Sequence, residues 1–337
     1  MLPLEKRLPG LAQWVHLTVK KMLPQTAKWQ YQWRALQSDS CSSQSVERVL
    51  LMCHKQPIET IIMIQRERTL KSLPDIQSTG DRRKVAINKV GVKGVRYPIS
   101  LRTPGNGDGN GRVHTVASIN MYVSLPHDEK GTHMSRFLEV LNEHHDELSS
   151  DTLSDVCRAM KESLKAKDAH LELSFPYFID KKAPVTGRVG KLDIDVTFEV
   201  ASNGIDDFIM TIKVPATSLC PCSKEISDYG AHNQRCEMTV KVRLADGVHL
   251  WIEELFAMIE QCASTQVFSV LKRPDEKWVT ERAYENPKFV EDIVRDMAVV
   301  LNADDRITWY QCFSENFESI HNHNAYAFIE RDKRISE

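Results

Sequence analysis

The chain has 337 residues, with 44 Lys and Arg against 46 Asp and Glu and a formal net charge of −2. That balance gives no general attraction to nucleic acid or to an anionic membrane. A mixture of 42% hydrophobic and 27% charged residues excludes disorder as a description of the whole chain, and no stretch approaches the roughly 20 uninterrupted apolar residues of a membrane-spanning helix.

The charge is uneven along the chain. Residues 1–70 hold ten Lys and Arg but five Asp and Glu, a local +5 that leaves −7 on the remainder. Three of the six Trp (Trp14, Trp29, Trp33) lie in the same segment. Its polar run over 38–45, short apolar patch Ile61–Ile64 and single short helix expected near Val46–Met52 read as an appendage, with Met63 as a natural alternative start. The eight cysteines are not preceded by a secretory leader, which favours a reducing, cytoplasmic setting in which clustered Cys hold metal or do chemistry.

From residue 85 the pattern is legible. A strand is expected from Val85 to Leu101, a turn over the Gly- and Asn-rich stretch 104–111, and a second strand from Val113 to Leu125 with alternating Ile119, Met121 and Val123. Phe137, Leu138, Leu141 and Leu148 recur at helical spacing after Thr132, and Val156, Met160 and Leu164 share a face of a helix over 152–167. Strands follow at Leu171–Phe178 and Lys191–Val200, completing the order ββααββ. The order then repeats, with strands at Phe208–Val214 and Glu237–Leu244, helices at Trp251–Phe268 and Pro287–Asn302, and strands at Ile307–Phe313 and Ala325–Ile329. The expectation is an α+β chain of two such units, 71–202 and 203–337, each a four-stranded antiparallel sheet with a helix pair on one face. Free strand edges then call for covering by the other unit or another subunit.

The stretch 218–235, Ser-Leu-Cys-Pro-Cys-Ser-Lys-Glu-Ile-Ser-Asp-Tyr-Gly-Ala-His-Asn-Gln-Arg, is a long loop between two strands, the kind of segment that carries function. Cys220 and Cys222 flank a single Pro, which is not a zinc-ribbon knuckle. On an extended segment their thiols point apart, so one of them faces a given site. His232 lies twelve residues on, and Gly230 lets the chain fold back. Thiolate and imidazole suit zinc or another borderline divalent metal, although a buried structural Cys beside a solvent-facing His fits the residues equally well. Acidic residues at 275–276 open a helix, as dipole considerations favour anywhere; Glu291 lies beside the apolar face of the next helix, and His321 and His323 sit two apart before the last strand.

The stretch 218–235, together with Leu-Lys-Arg-Pro-Asp-Glu-Lys at 271–277, Asn-Pro-Lys-Phe-Val-Glu-Asp at 286–292, Leu-Pro-Asp-Ile-Gln at 73–77 and Lys-Gly-Thr-His-Met-Ser-Arg-Phe at 130–137, resembles the type IB GTP cyclohydrolase I family over roughly residues 72–331. The resemblance implies the tunnelling fold, two ββααββ units per chain and a homotetramer. It implies opening of the GTP imidazole ring by water at C8, loss of that carbon as formate, and 7,8-dihydroneopterin triphosphate as product. By the same resemblance Cys220, His232 and Glu276 hold a divalent metal (zinc, manganese or iron), Cys220 being also catalytically important. Glu291 anchors the purine, and His321 or His323 moves protons. Candidates for the triphosphate are Lys89, Lys93, Arg96, Lys130, His133, Arg136, Lys224 and Arg235. Rival readings are a cyclohydrolase giving a cyclic phosphate, a deazaguanine nitrile reductase with a nucleophilic Cys, and a non-catalytic purine- or metal-binding module. The reductase is disfavoured because no Gly-rich dinucleotide fingerprint follows a strand.

Overall fold

The computed structural model describes residues 75–335, apart from 106–110, 145–149 and 205. The helix near Val46–Met52, the start at Met63 and most of the turn over 104–111 lie outside the described residues.

Alternation builds the strands, and one apolar face aligns them. β1 (Ile87–Thr103) and β2 (Gly111–Leu125) form a hairpin; α1 (Met134–Glu143) and α2 (Ser150–Leu164) follow, then β3 (Ala169–Lys182), β4 (Val189–Ser202) and β5 (Asp206–Leu219). The one-and-a-half-turn α3 (Pro221–Ile226) leads to β6 (Asn233–Leu244), α4 (Ile252–Ile259), the two-residue β7 (Thr265–Gln266), α5 (Arg273–Glu285), α6 (Val290–Ala303), β8 (Ile307–Asn316) and β9 (Ala325–Asp332). Every second side chain points to the helices: Ile119 and Met121, Leu171 and Leu173, Val196 and Val200, Ile212 and Val214, Met238 and Val240, and Tyr310 are all buried. At about 1.5–3 kcal/mol for each large apolar side chain removed from water, this seam between sheet and helices dominates the stability. The opposite face carries ion pairs, Lys213 with Glu237 and Arg243 with Asp207 between the neighbouring β5 and β6, and Lys241 of β6 with Glu199 of β4 across β5.

The expected tunnelling fold of two separate ββααββ units is corrected. All nine strands belong to one continuous antiparallel sheet, ordered β1-β2-β3-β4-β5-β6-β8-β9, with β7 on β5. The strands expected to end one sheet and begin the next pair with each other, Asp195–Ser202 of β4 against Asp206–Lys213 of β5. The turn joining them contains Asn203 and Gly204, the latter at φ +104°, where a side chain would be strained. An Asn-Gly pair between alternating runs makes a tight hairpin rather than a unit boundary.

The helix expected over Trp251–Phe268 is also shorter. It ends at Ile259, continues as a 3-10 turn to Cys262, and gives way to β7, which pairs Thr265 with Thr217. Its last carbonyls find side-chain donors in place of another turn: Asn286 Nδ2 donates to the Ala263 and Ser264 carbonyls, and Lys288 Nζ to that of Cys262. Polar contacts also lock β3 to the α4 region, Tyr177 Oη to Glu253 and Lys181 Nζ to Glu260.

Candidate active site

The chain turns sharply where β5 ends. Cys220 keeps an extended conformation and Pro221, whose missing N–H costs nothing at a first helical position, opens α3. The Ser223 N–H then points at Cys220 Sγ at 3.5 Å. Ser223 also ties the loop's two ends together: its Oγ donates to the Cys220 carbonyl at 3.1 Å and accepts from the His232 N–H at 3.1 Å. The Cys220 N–H in turn donates to the His232 carbonyl at 3.1 Å. Gly230, at φ +143°, allows the return. The twelve-residue spacing thus closes into a loop that sets Cys220 and His232 side by side.

The two thiols diverge for a different reason from the one expected of an extended segment. Cys220 caps α3 and is half-buried, whereas Cys222 is helical and exposed. The thiols of Cys236, Cys262 and Cys312 are pushed up to about 12 by burial, which removes them as nucleophiles near neutral pH.

α5 faces this loop. A cavity of about 420 Å³ opens between them, lined by Leu219, Ala231 and Asn233 on one side and by Thr280, Tyr284 and Glu285 on the other. Lys224 spans the gap, donating to the Tyr284 carbonyl at 2.5 Å with its ammonium 4.4 Å from the centre of the Tyr284 ring. The helix is held at its start by Asp275, which is wholly buried. Its carboxylate accepts from the Val185 and Thr186 N–H groups, the Thr186 hydroxyl and the Lys272 N–H. Burial works to raise its pKa, but these bonds outweigh it and hold the carboxyl well below the usual range. The next residue, Glu276, is exposed, one helical turn before Thr280 on the face that reaches the cavity.

The start of α6 is fastened to the same end of the sheet. Ser218 Oγ donates to the Lys288 carbonyl at 2.9 Å, and the Lys288 N–H donates to the Leu219 carbonyl at 3.0 Å. Glu291 is exposed in the first turn of that helix. The segment after β8 completes the surround. The Phe317 N–H donates to the Arg235 carbonyl, Gln234 Nε2 donates to Glu318 Oε1 at 2.9 Å, and Ser319 Oγ meets His232 Nδ1 at 3.1 Å. His321 and His323 follow, exposed and stacked with ring centres 5.2 Å apart.

The fold therefore gathers Cys220, His232, Lys224 and the strap leading to His321 and His323 at one end of the sheet, with Glu276 and Glu291 on the helices that border it. His133 and Arg136 are engaged elsewhere, His133 with Asp75 at 3.2 Å and Arg136 with the Ser163 carbonyl at 3.3 Å. Arg235 is exposed on β6. The donor types suit a borderline divalent metal: Cys220 Sγ receives one long hydrogen bond, and His232 keeps Nε2 clear of its Ser319 contact. Among the described residues, however, no three His, Cys, Asp or Glu side chains converge closely enough to hold an ion, so Cys220 and His232 form the assembled part of the set and Glu276 stands apart from it. Sequence reasoning passed over Ser223, Gln234, Glu318 and Ser319, whose only signal was their place beside the Cys and His residues.

Comparison with known proteins identifies the family. The family model described as type I GTP cyclohydrolase folE2 matches residues 73–327. The GTP cyclohydrolase FolE2 of Azoarcus sp. (strain BH72) is 55% identical over 267 residues, covering 78% of this chain and 97% of the relative. That of Geobacter metallireducens is 53% identical over 268 residues, covering 79% and 100%. Among solved structures, the uricase from Arthrobacter globiformis aligns with a TM-score of 0.45 at 8% identity over 74% of this chain and 95% of its own, a likeness too slight to build on. The chain belongs to the type I GTP cyclohydrolase FolE2 family.

Proposed function

We propose that the chain takes GTP and one water to formate and 7,8-dihydroneopterin triphosphate, the entry to pterin and folate synthesis, and that it does so as a type IB enzyme. It is a GTP cyclohydrolase I, a hydrolase of cyclic amidine C–N bonds. Relatives 52–55% identical over most of the chain support this reaction. The observation that carries the site assignment is the Ser223 knot, which sets a half-buried thiol and an imidazole together beside a cavity.

Purine C8 is a poor electrophile and neutral water a poor nucleophile. A divalent ion held by Cys220 and His232, with Glu276 as third ligand, would supply the Lewis acidity that makes water reactive near neutral pH. Glu291 accepts from the guanine N1–H and 2-amino group together, so the base is oriented as well as bound. His321 delivers a proton to N9 as the C8–N9 bond breaks, regains one from the second water that adds to C8, and returns it to N7 as the C8–N7 bond breaks and formate leaves, with His323 stacked on it as its partner; closure of the new ring gives one water back, so one is consumed overall. Lys224 and Arg235 flank the loop with positive charge for the triphosphate, and His133 and Arg136 are its further candidates, brought from another part of the surface or from a second copy.

The proposed assembly is a homotetramer in the cytoplasm. Among the described residues β1 and β9 each leave one edge unpaired, and β9 exposes Tyr326 and Phe328 beside Phe313, a surface that gains from being covered. Among the described residues no helix is long and apolar enough to cross a membrane. Incubating purified protein with GTP and following formate together with the fluorescence of oxidised neopterin tests the reaction. Equimolar release of both is the expected result, and a cyclic phosphate product or no product would reject it.

A further inference from the structure

The backbone of His232 is fixed on both sides, its N–H on Ser223 Oγ and its carbonyl under the Cys220 N–H. Only its two side-chain torsions remain to be set. Ser319 Oγ lies 3.1 Å from Nδ1 and engages the ring there. Ser319 is itself exposed and sits on the segment leaving β8, so it can fix the ring only if that segment is held.

Two contacts hold it, in step with the loop below. The Phe317 N–H donates to the Arg235 carbonyl at 2.9 Å and Glu318 Oε1 accepts from Gln234 Nε2 at 2.9 Å. Gln234 is 8% exposed, so its contact with Glu318 is made largely out of water, where a side-chain hydrogen bond holds its partners most firmly.

We infer that Ser319, held by the Gln234–Glu318 contact, is a positioning residue for His232: it accepts a hydrogen bond from Nδ1–H, selects the tautomer whose Nε2 carries the free lone pair, and aims that nitrogen at the metal beside Cys220. This rests on the metal reading of the site proposed above. Hydrogen-bonded partners of this type, one bond removed from the metal, typically contribute 10–100-fold to metal affinity.

The test is the affinity of full-length, metal-stripped protein for Mn²⁺ and for Zn²⁺, each alone, by competition with a chelator, alongside KM and kcat for GTP. Ser319→Ala is expected to weaken metal binding about 10-fold or more without moving the unfolding midpoint, since the side chain is exposed. Ser319→Thr keeps the hydroxyl and is expected to restore binding. Glu318→Ala frees the strap and reproduces the loss, whereas Glu318→Gln retains an acceptor for Gln234 Nε2, adds a donor for its Oε1, and binds metal like wild type. Unchanged metal affinity in Ser319→Ala overturns the inference and leaves the metal reading intact. Wild-type protein that binds neither ion overturns the metal reading and this inference with it.

Discussion

Replacing Ser218 with Ala removes one oxygen, 1% exposed, from the junction where β5, β8 and the start of α6 meet. That oxygen donates to the Lys288 carbonyl at 2.9 Å and accepts from Asn316 Nδ2 at 3.0 Å, while Ser314 Oγ occupies Asn316 Oδ1 at 3.3 Å. Ala offers neither bond, so a buried donor and a half-buried acceptor are stranded. At about 1–3 kcal/mol each, the expected loss is about 2–6 kcal/mol, a large part of the roughly 5–15 kcal/mol that holds a domain together. For a body of this size about 2–4 °C of Tm accompanies each kcal/mol, so the midpoint should fall by about 4–24 °C. Urea and thermal unfolding of the variant measure it. Asn316→Leu in the same chain removes the stranded donor, so the double variant should recover part of the loss. A Ser218→Ala change under about 0.5 kcal/mol, or strict additivity of the pair, would refute the reasoning.

Two further predictions address the buried charges and the thiols. Burial pushes the Lys181 ammonium down from 10.5 to about 8, where it contacts Glu260 and lies over the Phe256 and Phe268 rings. Between those values the unfolded chain holds a proton that the folded chain has released, so unfolding takes up a proton and stability rises with pH across that window. Measured against Lys181→Met/Glu260→Gln, wild type should gain stability from pH 8 to 10.5, and a flat difference would contradict the assignment. Among the described cysteines, thiol labelling of native protein at neutral pH, mapped by peptide, should modify Cys222 first and Cys220 more slowly, with added divalent ion protecting Cys220. Cys157, Cys236, Cys262 and Cys312 are buried and should react only on unfolding, and native labelling of any of them would count against this core.

Much of the strand pattern was legible because alternation is a local property: Leu192, Ile194, Val196, Phe198 and Val200 announce one face of β4 wherever that strand lies in the sheet. Which strands pair is not local. The link from β4 to β5 was written in Asn203-Gly204, a hairpin signal, but the apparent repeat of ββααββ favoured reading a boundary there. β7 is two residues held by Ala216 and Thr217, too short for any period to show. In the site, Cys220 and His232 could be paired from spacing and a glycine because the types are rare and their chemistry is narrow. Ser223 and Ser319 could not, since a serine's use depends on which groups the fold sets 3 Å from its oxygen. Glu276 shows the opposite limit, for its place in a helix's first turn was clear while its distance from the thiol was not.

The most direct test of the account is metal-dependent turnover at Cys220. Wild type and Cys220→Ala, both stripped of metal and shown to be folded, are given GTP and a series of divalent ions while formate and oxidised neopterin are followed. The account predicts that at least one ion restores turnover to wild type and that none restores it to Cys220→Ala. Turnover by Cys220→Ala at the wild-type rate would contradict it.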